Sequence, residues 1–234
     1  MGIKFLDNLS KNRINEARFN LKAMNYASFR RIVIAIEGSA HMSEVFANTP
    51  DVFKEFGNQL AGLLPGLQPS IRISLQILSY TNYNCSPKNI LNYSEVSSAQ
   101  QLYNFSCDIS PEGSEQSQAF ELVMQHSLEQ YADQIVVIAA SPGNNAKRID
   151  ELYKTDSFGL KEKPFKKIKP EDLIGELVKH GIAVKCLYVG SKKYPYFGDL
   201  AKKTNGTYVE SLKVSEFLTK TVIDYIKAQA KNLE

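Results

Sequence analysis

The chain has 234 residues, 43% of them apolar and 23% charged, with a formal net charge of +3. That length predicts one large domain, or at most two small ones, with a sizeable core, and it excludes wholesale disorder. The charge is too small to name nucleic acid as a partner, and no run of about 18 apolar residues is present to span a membrane.

The opening MGIKFLDNLSKNR lacks a long apolar stretch, which argues against a secretory signal. Cys85, Cys107 and Cys186 form neither a Cys-x-x-Cys pair nor a zinc spacing, and are read as reduced thiols of an intracellular protein. The Asn-x-Ser/Thr triplets at Asn8, Asn84, Asn92, Asn104 and Asn205 are accordingly set aside as chance matches. Residues 1–28 are expected to form an N-terminal extension, helical from Ile14 to Met24, and residues 29–231 a single domain.

Ile32 to Ile36 is an unbroken, mostly β-branched apolar run, the mark of a strand buried on both faces. Glu37-Gly38-Ser39-Ala40-His41-Met42 then leaves the sheet in a tight loop. A helix is predicted from Pro50 to Leu64, with Val52, Phe53, Phe56, Leu60, Leu63 and Leu64 on one face, ended by Pro65-Gly66. Residues 71–80 alternate as a strand, and a short edge strand is expected near Ile90–Tyr93. Ser114 to Gln130 reads as a helix buried on more than one side. QIVVIAAS (134–141) is the second apolar strand, broken by Pro142-Gly143.

Residues 146–169 hold eight Lys and Arg against four Asp and Glu and read as a solvated crossover loop. Pro170 starts a helix that Gly181 closes, and residues 182–190 form the third apolar strand. A short helix near Phe197–Lys203, an edge strand at Thr207–Glu210 and a last helix from Ser215 to Lys231 complete the chain. The alternation implies an α/β fold of three layers: a doubly wound, mostly parallel sheet with helices on both faces.

In such sheets ligands sit beyond the carboxyl ends of the strands. Three loops there carry the chemistry: Glu37 to Met42, Gly113 to Phe120, and Ala139 to Asn144. A carboxylate with a hydroxyl two residues on, as in Glu37 and Ser39, can offer oxygens to a hard divalent cation. No phosphate-binding glycine loop and no paired carboxylates at a strand end are found, so an enzyme is not expected.

These three loops resemble the von Willebrand factor A domain over roughly residues 29–231. In that family Asp-x-Ser-x-Ser, a Gly-Thr loop and a strand-ending Asp-Gly build a metal-ion-dependent adhesion site. Here Glu37 stands for the leading Asp, Ser39 for the first serine, His41 for the second, Ser114 for the threonine and Ala140 for the carboxylate of the third loop. The likeness therefore implies a degenerate site on Glu37, Ser39 and Ser114 that has lost its cation and needs no cofactor. The alternative is an A domain that keeps Mg²⁺ there to grip a partner's carboxylate.

Glu37-Gly38-Ser39-Ala40 and Ser141-Pro142 also resemble the A domain of Mediator subunit 25. That branch implies a non-catalytic scaffold that docks other protein subunits of a nuclear transcription-coactivator complex. Candidate partner-binding residues are His41, Ser141 and the basic stretch Lys161, Lys163, Phe165, Lys166, Lys167 and Lys169, read as a protein-docking loop with nucleic acid the lesser option. A third reading, catalysis from Ser39 and His41, lacks an orienting partner at a readable spacing.

Overall fold

A computed structural model describes residues 29–231 apart from 48, 68–71, 97, 162, 164 and 166. The expected helix at Ile14–Met24, and Lys166, lie outside the described residues.

Strand β1 (Phe29–Glu37) is followed by a 3₁₀ turn (Ala40–Met42), a short helical turn (Ser43–Phe46) and helix α1 (Thr49–Leu67). Then come β2 (Arg72–Tyr80), a turn at Pro87–Ile90, β3 (Leu91–Val96) and α2 (Ala99–Cys107). Helix α3 (Phe120–Glu129) leads into β4 (Gln134–Ala139), α4 (Ala146–Lys154), α5 (Pro170–Lys179) and β5 (Ala183–Tyr188). Helix α6 (Tyr196–Lys203) and β6 (Thr207–Glu210) precede α7, in which Val214–Leu218, Thr219–Ile223 and Asp224–Lys231 run on as one helix with a π-helical middle.

The strands form one sheet in the order β3-β2-β1-β4-β5-β6. All neighbours are parallel except β2 and β3, which pair antiparallel from Leu75↔Val96 to Tyr80↔Leu91. The order reverses between β1 and β4, the topological switch point where doubly wound sheets open a crevice. Because side chains alternate along a strand, Ile32, Ile34 and Ile36 join the core under α1, α2 and α7. Val33 and Ala35 join the core under α3, α5 and α6. Burial on both faces is why β1 is apolar without interruption until Glu37.

Helix α3 is buried on two sides, as its sequence requires. Phe120, Val123 and Met124 face the sheet, while Leu122 packs in a third cluster with Ile149, Leu152 and Leu160. It starts at Phe120 rather than Ser114 because residues 112–119 use their backbone to join neighbouring loops. Glu112 N–H donates to Gly38 O (2.8 Å), Gln118 N–H to Pro142 O (2.9 Å) and Ala119 N–H to Thr81 O (3.0 Å).

Helix α1 runs through Pro65-Gly66, expected to end it, to Leu67, and two further helices, α2 and α4, were not expected from the sequence. Helix α2 offers few apolar positions to its neighbours, Leu102 and Phe105, and is started by Ser98, whose side chain accepts from Gln101 N–H (3.2 Å). Helix α4 replaces the first part of the expected crossover loop. Asn145 caps it, accepting from Arg148 N–H (2.9 Å), and its Ile149 and Leu152 face inward while the lysines face out. Among the described residues no helix is long and apolar enough to cross a membrane.

Candidate functional site

The parallel registers bring one residue from each of four strands to the same level at the carboxyl edge. Glu37 lies opposite Tyr80, Ile36 opposite Ile138, and Ala139 opposite Tyr188. Tyr80, Glu37, Ala139 and Tyr188 therefore form a row on the face covered by α3 and α6. Ala139 is the small member of that row, and it leaves room for the β4 chain to turn back over Glu37.

Glu37 is fully buried and its carboxylate accepts four hydrogen bonds. One oxygen accepts from the hydroxyls of Ser39 and Ser141, the latter at 2.7 Å. The other accepts from the backbone N–H groups of Ala140 and Ser141, both at 2.8 Å. Burial pushes the Glu37 pKa above its ordinary 4.5, while the Ser39 and Ser141 hydroxyls and the two amides pull it back. The turns after β1 and β4 thus meet at a shared rim, and Glu37 is the rivet that joins them.

That arrangement decides what the rim can offer a cation. A divalent ion in this setting needs outward-facing oxygens. Both Glu37 oxygens are committed to donors from within the fold. The Ser39 hydroxyl donates to Glu37 and accepts from His41 N–H (3.3 Å), capping the 3₁₀ turn. Ser114 is exposed and makes no hydrogen bond to Glu37 among the described residues. The three residues matched to the adhesion site are thus not a converging oxygen set, and they do not fit a magnesium ion as they stand. No group of three or more His, Cys, Asp or Glu placed to hold a metal is found among the described residues.

The loop carrying Ser114 is nonetheless part of the rim. Ala40 N–H donates to Gly113 O at 2.9 Å, and Gly113 has φ of 74°, a left-handed conformation suited to glycine. Above Glu37 opens a cleft of about 660 Å³, lined by His41, Glu44, Gln116, Ser141, Lys192 and Tyr194 among others. The far wall is held by Tyr188, whose hydroxyl lies 2.7 Å from both the Ala140 and the Lys192 carbonyls. Exposed His41 faces this cleft, whereas Ser141, also expected at a partner surface, is only 3% exposed with its hydroxyl committed to Glu37. Ser39 and His41 meet through a backbone amide rather than through the imidazole, so no hydroxyl–imidazole pair is assembled.

A second buried polar constellation lies beside the rim and was not anticipated. Glu121, at the start of α3, accepts from the Tyr83 hydroxyl (2.8 Å) and Asn144 Nδ2 (3.2 Å). Asn144 in turn accepts from the Ser117 hydroxyl at 2.6 Å. The second Glu121 oxygen and the hydroxyls of Tyr80 and Tyr196 are buried without a hydrogen-bond partner among the described residues. Burial raises the Glu121 pKa to about 7, against the pull of its own backbone amide, Tyr83 and Asn144. The readable signal was a lone carboxylate inside Ala119-Phe120-Glu121-Leu122-Val123, in a helix already judged to be buried.

The basic stretch after α4 is fastened down rather than free along its length. Lys163 Nζ donates to the Tyr83 carbonyl (2.6 Å), and Tyr153 donates its hydroxyl to the Phe165 carbonyl (3.0 Å). Phe165 stands edge-on to Tyr83 with ring centroids 6.1 Å apart. Lys167 is paired with Asp150 at 2.6 Å, and Ile168 is buried. Lys161 and Lys169 are exposed. Lys163 and Phe165, expected to contact a partner, therefore contact the fold itself, and the exposed Lys161, Lys167 and Lys169 are the part presented outward.

The chain matches none of the known protein-family models and none of the curated proteins with which it was compared.

Proposed function

We propose that this chain is a non-catalytic protein-docking domain of von Willebrand A type whose adhesion site has become a structural joint. The observation that carries the reading is the state of Glu37. It is the only acidic residue matched to the family's site, and all of its hydrogen-bonding capacity is directed inward to Ser39, Ala140 and Ser141. In this reading the rim cleft keeps the family's binding position. His41, Lys192 and Tyr194 there would contact a protein partner without a bridging ion. The likeness of Glu37-Gly38-Ser39-Ala40 and Ser141-Pro142 to the Mediator subunit 25 branch extends the proposal to a nuclear coactivator complex.

Calorimetric titration with Mg²⁺, Mn²⁺ and Ca²⁺ tests the first part. The expected result is no site-specific heat, with thermal stability and partner capture unchanged by a chelator. Saturable binding that Glu37→Gln abolishes would support the metal-dependent reading instead. Purification of the tagged protein from its own cell tests the second part. Subunits of a large complex should co-elute with it and be lost in Lys192→Glu, a surface change in the cleft, and tagged protein confined to the cytoplasm would sink the nuclear assignment.

A further inference from the structure

The far edge of the sheet, away from the rim, combines an open strand with an apolar groove. Among the described residues β6 is the outermost strand and pairs only with β5. Ser211 N–H donates to the Tyr188 carbonyl at 3.2 Å. Backbone direction alternates along a strand, so the amides of Tyr208 and Glu210 point away from β5. On the sheet face shared with α7, a groove of about 540 Å³ runs between β5–β6 and the helix. Leu187, Val209 and Phe217 form its apolar part; Val209 is 41% exposed, and Leu212, just beyond the strand, is 72% exposed.

The charges around this groove are unevenly matched. Glu210 is paired with Lys193 (2.8 Å), and Glu216 with Lys213 (3.4 Å) and Lys220 (2.8 Å). Lys185, half-buried in the groove wall, has only the Tyr225 ring, 5.5 Å away, and among the described residues no carboxylate at ion-pair distance. Burial holds its pKa below the ordinary 10.5. The groove itself is lined by Lys185, Lys213 and Lys220 against Glu210 and Glu216, so once those carboxylates are paired the Lys185 ammonium is left over.

We propose that the open edge of β6 and this groove receive an extended, acidic segment of a partner protein, with an apolar side chain on Val209 and a carboxylate on Lys185. The edge amides supply main-chain hydrogen bonds that ignore sequence, and the groove takes alternate side chains. Acidic character follows from the unmatched Lys185 ammonium in a lining of three lysines against two glutamates, which disfavours a basic segment and a second copy of this edge alike. The inference rests on the docking reading above but names a different surface and a partner chemistry.

The test is an NMR titration of the labelled protein with a peptide of about eight residues alternating Asp and Val, and with its Lys–Val counterpart. Saturable shifts at the amides of Tyr208, Glu210 and Leu212 are expected with the acidic peptide alone, weakening with salt. Lys185→Met should weaken binding at least about tenfold, the scale of one lost charge contact. Tyr208→Pro removes one outward amide at an edge position that tolerates proline and should do the same. Both variants must retain the wild-type melting temperature, and Lys185→Met alone decides if the proline variant does not fold. Equal response to both peptides, shifts elsewhere, or indifference to Lys185→Met overturns the inference, and the lysines then only guard the edge against self-pairing. If co-purifying subunits are lost in Lys192→Glu but kept in Lys185→Met, the docking reading stands and this one falls. If nothing co-elutes with the unmodified protein, the docking reading itself fails.

Discussion

Replacing Glu37 by alanine should cost far more than its position at a strand end suggests. The side chain is the acceptor for two backbone N–H groups, Ala140 and Ser141, that are buried with it. Each orphaned buried amide costs about 1–3 kcal/mol, and the cavity adds to that, so the loss is ~3–6 kcal/mol. Whole-domain stability is only about 5–15 kcal/mol. Glutamine is milder, ~1–2 kcal/mol, because its amide oxygen can face the two N–H groups while its NH₂ faces the hydroxyls of Ser39 and Ser141. Ser141→Ala removes one hydroxyl donor to the carboxylate and falls in the same range, ~1–2 kcal/mol. Urea unfolding with an unchanged m-value measures all three. The same titrations in about 10 mM Mg²⁺ complete the assay. An ion present at 100 times its dissociation constant would stabilise the fold by about 2.7 kcal/mol, and none of that is expected here. Two results refute the reasoning: an alanine variant within about 1 kcal/mol of wild type, or a Mg²⁺-dependent gain in stability that Glu37→Gln erases.

Glu121 predicts a pH dependence. Its folded pKa of about 7 lies above the ordinary 4.5. Between those values the folded state holds the extra proton, so stability is fully present below about pH 4.5 and declines as pH rises through 7, by ~3 kcal/mol in all. Glu121→Gln should flatten the difference between urea midpoints at pH 5 and pH 8, and a variant whose profile runs parallel to wild type would count against this. Lys163→Met releases the contact with the Tyr83 carbonyl; it should raise hydrogen exchange in residues 156–168 while lowering global stability by only about 1 kcal/mol. Exchange unchanged there would mean the strap is held by Phe165 and Ile168 alone. Gly143→Ala sets a methyl against the Tyr196 ring and should destabilise by roughly 2 kcal/mol or more, read as a fall in melting temperature that Tyr196→Ala partly reverses.

Chain periodicity alone determined the layers. The apolar runs at Ile32–Ile36, 134–141 and 182–190 became β1, β4 and β5 because strands buried on both faces cannot alternate. Proline at 170 and glycine at 181 marked the bounds of α5, since the first tolerates a missing donor and the second, with φ of 66°, takes the left-handed turn. Helix α2 was not legible, because two inward apolar residues in nine leave a weak stripe. Helix α4 does carry a stripe, Ile149, Leu152 and Tyr153 recurring at helical spacing after the Asn145 cap, and only the basic composition around it hid the pattern.

At the rim, the residue types were readable but their partners were not. Glu37, Ser39 and Ser141 could be named as candidates from the sequence. That Glu37 is saturated by Ala140 and Ser141, more than a hundred positions along, depends on the β1–β4 register. The same holds for Lys163 and Tyr83, 80 residues apart, and for the unmatched Lys185 in its groove. Pattern in a chain reports which face of an element is apolar, a local property. Which donor meets which acceptor depends on how distant strands are aligned, and only the assembled sheet sets that alignment.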